Sequence, residues 1–562
     1  MSQTSGSGDH RIPDPDPERG EAAPFDAFAR NRLPPRSQWP ELIFDQPEYR
    51  FDGPLNIAVE LVDRHVREGR GCRPCLIEAE SGRTTTYAEL ACRVDRIAGV
   101  LTGSFGLVPG NRVLLRSPNS PMLVACWLAV AKAGSIVVPT MPLLRARELG
   151  MICAKAEVRL ALCDDRLLPE LADLNAAGMG PVVLPFGELA DRMAEQPPVF
   201  EACATDAGDI CLIAFTSGTT GSPKAVVHFQ RDLMAVTEGL PREILHAGPD
   251  DVFCAGSSLA FTYGLGAAIL FPLRLGAASV LVESATPEAL LDAVVEHGVS
   301  LLFSVPTGYR AMADLGQGRA FPTLRACISA AEALPRRTLD AWLAATGLPI
   351  IDTIGSTEML HTFMANPPGA FRPGATGKPL SGYRAMVVDG EFRTLPAGQV
   401  GRLAVRGPVG CRYLDDPRQA EYVQHGWNMP GDAFLVDGDG YFWYRGRTDD
   451  MIVSSGYNIS GVEVEEVLLE HPAVRECAVV ASPDDRRGAV PKAFVVLSDG
   501  VRGDPELAAE LQAFVRKNLA RYKYPRLVEF MTTLPRTETG KIQRFKLRDL
   551  ELERAAERTC HL

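Results

Sequence analysis

The strongest constraint on the fold is a regular exchange of short apolar runs with helix-patterned segments between about Leu76 and Val282. Val113–Arg116, Ile136–Pro139, Leu160–Cys163 and Ala278–Val282 read as buried strands, and Met122–Ala133 and Thr286–His297 have helical length and period. That alternation predicts βαβ layers on largely parallel sheets. A second series runs from Leu301–Ser304 through Ala326–Ser329 to Ile350–Asp352. From Thr376 to Tyr444 the pattern changes to short strands with Gly/Pro turns, such as Gly401–Gly407, which predicts a small barrel-like β unit.

Beyond Arg447 a smaller α+β unit is expected. Ser460-Gly-Val-Glu463 reads as a capping box opening a helix that stops near His471-Pro472. Strands are expected at Ala478–Ala481 and Ala493–Leu497. Asp504-Pro505 then opens a helix whose Leu507, Leu511, Phe514, Val515 and Leu519 form one apolar stripe. The expected organisation is α/β: a tail over 1–25, polar and read as disordered, then a large domain over 26–446. That domain would hold two βαβ-layered subdomains and the β unit. A smaller α+β unit over 451–562 would follow.

Bulk properties exclude several classes. A chain of 562 residues exceeds one ordinary core, and 46% hydrophobic with 23% charged residues is a globular composition. A net charge of −12 argues against a general nucleic-acid binder. The longest apolar stretch, Met122–Ala131, ends at Lys132, too short to span a bilayer, and the N-terminus lacks an apolar signal core. The expectation is a cytoplasmic protein without membrane partners, as a monomer or a homodimer. The thirteen cysteines are scattered, mostly singly in apolar runs as at Cys126, Cys211 and Cys254, and read as buried free thiols. Cys72-Arg-Pro-Cys75 has metal spacing, but no second pair completes a site, so it reads as structural.

The stretch with most chemistry is Thr216-Ser217-Gly218-Thr219-Thr220-Gly221-Ser222-Pro223-Lys224, directly after the apolar run Ile210–Phe215. A strand thus delivers five hydroxyls, two glycines and a lysine into one loop. Glycines let backbone N–H groups turn inward, hydroxyls donate, and the lysine adds charge, which is how a polyphosphate is held. A polar surface loop is the plainer alternative. The spacing is not that of a Walker A motif, because Ser222 and Pro223 separate the second glycine from Lys224.

The loop instead resembles the signature of the adenylate-forming superfamily, and five further segments resemble it in order. The resemblance implies ATP, Mg²⁺ and CoA as cofactors and co-substrates. In Gly355-Ser356-Thr357-Glu358, Thr357 would bind the α-phosphate and Glu358 would hold Mg²⁺. Asp352, just upstream, joins the implied ATP site. Asp432 of Gly431-Asp432 would accept from the ribose hydroxyls, with Pro430 where the family has Thr or Ser. Gly446-Arg447-Thr448-Asp449-Asp450 resembles the family's hinge, which implies a hinge at 447–450 and a mobile small domain over 451–562. There Arg447 would contact ribose or phosphate and Asp449 would absorb a domain rotation. Ser455, Gly456 and Tyr457 would line the CoA tunnel, with Val453 where a lysine is common. Lys541, in Pro535–Ile542, would bind the carboxylate and the bridging phosphate oxygen. Alone, each of these segments also reads as a turn, a helix start or a solvated loop. Six in fixed order do not.

Phe261-Thr262-Tyr263-Gly264-Leu265-Gly266 and Gly355–His361 resemble the benzoate-type CoA ligases. Together with Leu33-Pro-Pro and Gln38-Trp39-Pro40-Glu41, they are most similar to the 2-aminobenzoate–CoA ligases. The resemblance implies a flat slot lined by Phe261, Tyr263, Gly264, Ala330, Ala331, Gly355 and His361. Thr262 and Thr362 would supply hydroxyls suited to an amino- or hydroxy-substituted ring, or would instead bond to backbone. Ala331 stands where the family has Gly, and Ile354 where many members have Tyr. The expected activity is an ATP-dependent aryl acid–CoA ligase. The alternatives are an enzyme loading a carrier protein, a ligase for another small acid, and a non-catalytic binder of the same fold.

Overall fold

The computed structural model describes residues 25–51, 53–216, 223–448, 450–454, 457–484, 487–536 and 542–560. The tail, the loop residues Ser217–Gly221, Asp449, Ser455, Gly456 and Lys541 therefore lie outside the described residues, as does the side chain of Tyr457.

Two α/β layers build the large part of the chain. In a six-stranded sheet the order is Val182–Pro185, Leu160–Cys163, Arg112–Arg116, Ile136–Thr140, Ile210–Thr216 and Lys224–Phe229. All neighbours are parallel except the last pair, which is antiparallel. In the nine-stranded sheet, Ile350–Gly355, Ala326–Ser329, Leu301–Ser304, Val252–Ala255, Ala278–Leu281 and Pro74–Glu78 form a parallel centre with antiparallel strands at both edges. Parallel strands are buried on both faces and so read as unbroken apolar runs.

Helices Tyr87–Gly99 and Pro121–Lys132 share one core with residues of both sheets, among them Val113, Val137, Phe253 and Leu301. Pro121–Lys132 is buried nearly all round, as a helix between two layers must be. Its terminal Lys132 is fully buried between Asp63, at 2.7 Å, and Asp95. Among the described residues no helix is long and apolar enough to cross a membrane.

The β unit is an antiparallel six-stranded sheet in which Gly401–Arg406 pairs with Arg384–Val388, Trp427–Asn428 and Asp432–Val436. Among the described residues the smaller C-terminal part holds a three-stranded sheet, a two-stranded sheet and three helices with cores of their own. One expectation is corrected here. Ser460 caps the helix Gly461–Leu469 by accepting from Glu463 N at 3.1 Å, but Glu463 does not complete the box. Its carboxylate takes both oxygens to Lys523, at 2.7 Å each.

Candidate active site

Parallel strands end together, and their carboxyl ends open the crevice in which α/β proteins bind ligands. At that edge Tyr263, from the short helix Thr262–Leu265, donates to Ile328 O at 3.0 Å and Ser304 O at 3.4 Å, the ends of two neighbouring strands. The His361 ring lies on Tyr263, with centroids 5.4 Å apart and 26° between planes, and Phe271 meets the His361 ring edge-on at 4.6 Å. A Cβ on Gly266 would stand 2.2 Å from His361 Cδ2, and one on Gly355 would stand 2.4 Å from His361 O. Both close approaches require glycine. Burial pushes the His361 imidazole down to about 4, so the ring is neutral near pH 7. The edge is thus walled by a flat, uncharged aromatic stack.

The two threonines differ. Thr362 is buried with its Oγ1 3.1 Å from His361 Nδ1, while His361 Nε2 faces Tyr263 O at 3.2 Å. Thr362 therefore orients the ring. Thr262 is also buried, but its hydroxyl has no hydrogen bond among the described residues. Phe261 precedes that helix at its N-cap and Gly264 is buried within it. Ala330 is buried just past the strand Ala326–Ser329, whereas Ala331 is exposed and left-handed at φ +76°.

The phosphate-loop residues outside the described set join Thr216 and Lys224, which pair across two antiparallel strands. Lys224 Nζ reaches Tyr413 Oη at 3.4 Å, and Tyr413 Oη donates to Glu358 Oε1 at 2.6 Å. Tyr413 is fully buried, and burial with the Glu358 carboxylate behind it raises its phenol far above the ordinary range. It stays a donor. On the same strand as Lys224, His228 Nε2 lies 2.8 Å from Thr357 O. Behind it Asp232 meets Arg412 at 3.0 Å, both fully buried. Burial opposes the Asp232 charge, but Arg412 and His228 hold its carboxyl below the usual range.

Residues 356–360 form turns rather than a helix start, with Ser356 Oγ accepting from Met359 N at 3.2 Å. No cluster of three or more His, Cys, Asp or Glu suited to a metal occurs among the described residues. A Mg²⁺ ion is commonly held by one or two carboxylates with substrate phosphates and water, and buried Glu358 beside the phosphate hairpin fits that pattern.

Asp352 pairs with Ser329 across parallel strands, and burial, with Glu466 of the smaller part adding, pushes its carboxyl well above the usual range. Asp432 and Arg447 are partners in the antiparallel pair Asp432–Val436 and Phe442–Arg447. Arg447 Nη1 lies 3.1 Å from Asp432 Oδ1 and 2.6 Å from Pro430 O. Pro430 keeps the carbonyl that this contact uses, so proline there leaves the arrangement intact. Thr448 is bound to Gly431 O through both N and Oγ1, at 2.9 and 3.1 Å. Asp450 instead pairs with Arg548 of the terminal helix.

Tyr413 and His228 give no sign in the sequence. Tyr413 lies in an irregular segment, Cys411–Leu414, whose alignment beside Lys224–Phe229 rests on the long-range bonds Val227 N to Arg412 O and Leu414 N to Ala225 O, at 2.8 and 2.9 Å. His228 falls at the end of an apolar strand, where a satisfied core histidine is the ordinary reading.

Comparison with known proteins gives the family. The family model for the AMP-binding enzyme matches residues 62–413, and that for the AMP-binding enzyme C-terminal domain matches 463–541. The chain is 37% identical to a benzoate–CoA ligase of Thauera aromatica over 518 residues, 89% of this chain and 97% of that one. The crystal structure of the anthranilate CoA ligase AuaEII in complex with anthranoyl-AMP superposes with a TM-score of 0.85 at 32% identity, over 91% of this chain and all (100%) of that one. A benzoate CoA ligase from Burkholderia xenovorans LB400 gives 0.81 at 33% identity, over 88% and 99%.

Proposed function

The chain belongs to the AMP-binding enzyme family as an acid–thiol ligase, and from that premise we propose that it joins an amino- or hydroxy-substituted benzoate to CoA. The observation that carries the substrate reading is the neutral Tyr263–His361 stack at the strand ends, with the unengaged Thr262 hydroxyl beside it. A flat apolar slot suits an aryl ring. A Thr262 hydroxyl with no hydrogen-bond partner among the described residues favours a ring substituent that can bond to it.

In the first half-reaction an acid oxygen attacks the α-phosphorus of ATP, the bond to the β-phosphate bridge breaks, and pyrophosphate leaves. Lys224 and the loop before it would hold the phosphates, and Lys541 would neutralise charge at the bridging oxygen. Glu358 would hold Mg²⁺, which supplies neutralisation of phosphate oxygens when bound. Asp432 would accept from the ribose hydroxyls. In the second half-reaction the CoA sulfur attacks the acyl carbon, its proton goes to solvent, and AMP leaves. The proposed division at 26–446, 447–450 and 451–562 draws support from the anchors around Asp449: Thr448 is tied to Gly431, and Asp450 to Arg548. Ser455, Gly456 and Tyr457 would face the incoming thiol after rotation.

A pyrophosphate-release screen over substituted benzoates and short fatty acids, with CoA or a holo-carrier protein as acceptor, tests the reading. Preference for a substituted benzoate with thioester on CoA is expected. A thioester formed only on the carrier, or a fatty-acid preference, would overturn it. Lys541→Ala should abolish adenylation while sparing thioester formation from supplied aryl-AMP.

A further inference from the structure

We propose that Tyr413 is a positioning residue of the adenylating centre, linking Lys224 of the phosphate hairpin to Glu358 through its hydroxyl. The proposal rests on the adenylating role given above. The chain of bonds has a direction. Lys224 can only donate, so the Tyr413 oxygen accepts from it and the Tyr413 proton goes to Glu358 Oε1. Donation from a cation polarises the phenol and strengthens its bond to the carboxylate. A carboxylate has about four acceptor positions, so one phenol fixes the rotation of Glu358 and leaves capacity for a cation.

The surroundings leave Tyr413 little freedom. Its N–H donates to Gln419 Oε1 at 2.8 Å, and Gln419 in turn donates to Gln38 O and Cys411 O at 2.9 and 3.2 Å. Its ring meets Tyr422 edge-on at 5.8 Å, and Tyr422 Oη lies 3.2 Å from Ser356 Oγ, beside Thr357. Lys224 also lies 5.1 Å from the centre of the Tyr413 ring. One buried side chain thus spans the phosphate hairpin and the Thr357-Glu358 turn, which come from different sheets. A purely structural tyrosine would need only a backbone carbonyl, as Tyr87 has in Ala277 O at 2.8 Å.

The test is Tyr413→Phe, with Tyr87→Phe as a control that removes an equally buried hydroxyl elsewhere. Mn²⁺ binding in the presence of ATP, followed by electron spin resonance, is read beside the Mg²⁺ dependence of adenylation. Removing a group that orients a metal ligand is expected to weaken Mn²⁺ affinity about tenfold or more in Tyr413→Phe, with Tyr87→Phe unchanged. The KM for the acid should stay the same. Unchanged Mn²⁺ affinity in a folded Tyr413→Phe chain would overturn the proposal. Tyr413→4-aminophenylalanine keeps the shape and an N–H donor, and should bind Mn²⁺ within about threefold of wild type. A tenfold loss there would overturn the proposal even where the phenylalanine variant does not fold. A wild-type chain that adenylates no acid would instead count against the functional reading.

Discussion

Arg447 and Asp432 face each other as register partners of two antiparallel strands, with Nη1 3.1 Å from Oδ1. The arginine also holds Pro430 O, so the carboxylate proposed to receive the ribose is already oriented. Asp432→Asn keeps the shape and removes the charge. Hydrogen bonds to a charged group are worth about 1.5–3 kcal/mol, so the KM for ATP should rise roughly 10–100-fold with the KM for the acid little changed. Steady-state kinetics with each substrate varied in turn would check this. An equal rise in both constants would point to a collapsed strand pair rather than a lost ribose contact.

The two buried threonines separate by their partners. Thr362 is engaged with His361 Nδ1 at 3.1 Å, while the Thr262 hydroxyl has no partner among the described residues. Thr262→Val should therefore lower the kcat/KM ratio of substituted over plain benzoate by about tenfold, the worth of one neutral hydrogen bond in a dry site. Thr362→Val should lower activity toward both acids alike, by loosening the ring. An unchanged ratio in Thr262→Val would remove that hydroxyl from the specificity argument.

Ala331 carries a left-handed backbone at φ +76° on an exposed residue, so little packing offsets the strain. The left-handed region costs an L-residue roughly 1–2 kcal/mol, and glycine costs about 0.5–1 kcal/mol through the freer unfolded chain. Ala331→Gly should be neutral or stabilising by about 1 kcal/mol in denaturant unfolding, against the usual loss. With Ala331 at the proposed aryl slot, removing its methyl should also raise activity toward bulkier benzoates. A clear destabilisation would show that the methyl packs in solution.

Much of the fold was legible because a buried parallel strand is a nearly unbroken apolar run. Leu160–Cys163, Leu301–Ser304 and Ala326–Ser329 appear with the bounds read from sequence. Cap chemistry worked equally well at Asp504-Pro505, where the Asp504 side chain accepts from Leu507 N. Local pattern failed where distant pairing decides the outcome. Ile350–Gly355 runs past Asp352 because Thr362–Ala365 pairs with its end. Glu463 leaves its cap for Lys523, sixty residues away in the chain. In the site, Tyr263 and His361 were visible as residue types, but their stacking depends on glycines at 266 and 355. Tyr413 was invisible, because its role follows from a strand alignment that no local period encodes.

His361 and His65 are both buried, and burial pushes each imidazole down to about 4. A depressed histidine contributes stability that is present above its unfolded value, near 6.5, and is lost as pH falls toward the folded one. Between these values the unfolded chain takes up a proton that the native chain refuses, so acid favours unfolding. At pH 5 each histidine should have lost about 2 kcal/mol relative to pH 8. Denaturant unfolding of wild type at both pH values, beside His65→Gln and His361→Gln, would measure it. Each variant should be less stable at pH 8 yet show a smaller drop on acidification, by about 2 kcal/mol. His361→Gln alone should also lose activity, since only that ring stands on Tyr263 at the strand ends. An acid drop unchanged in both variants would mean that these histidines titrate alike in the folded and unfolded chains rather than being depressed by burial.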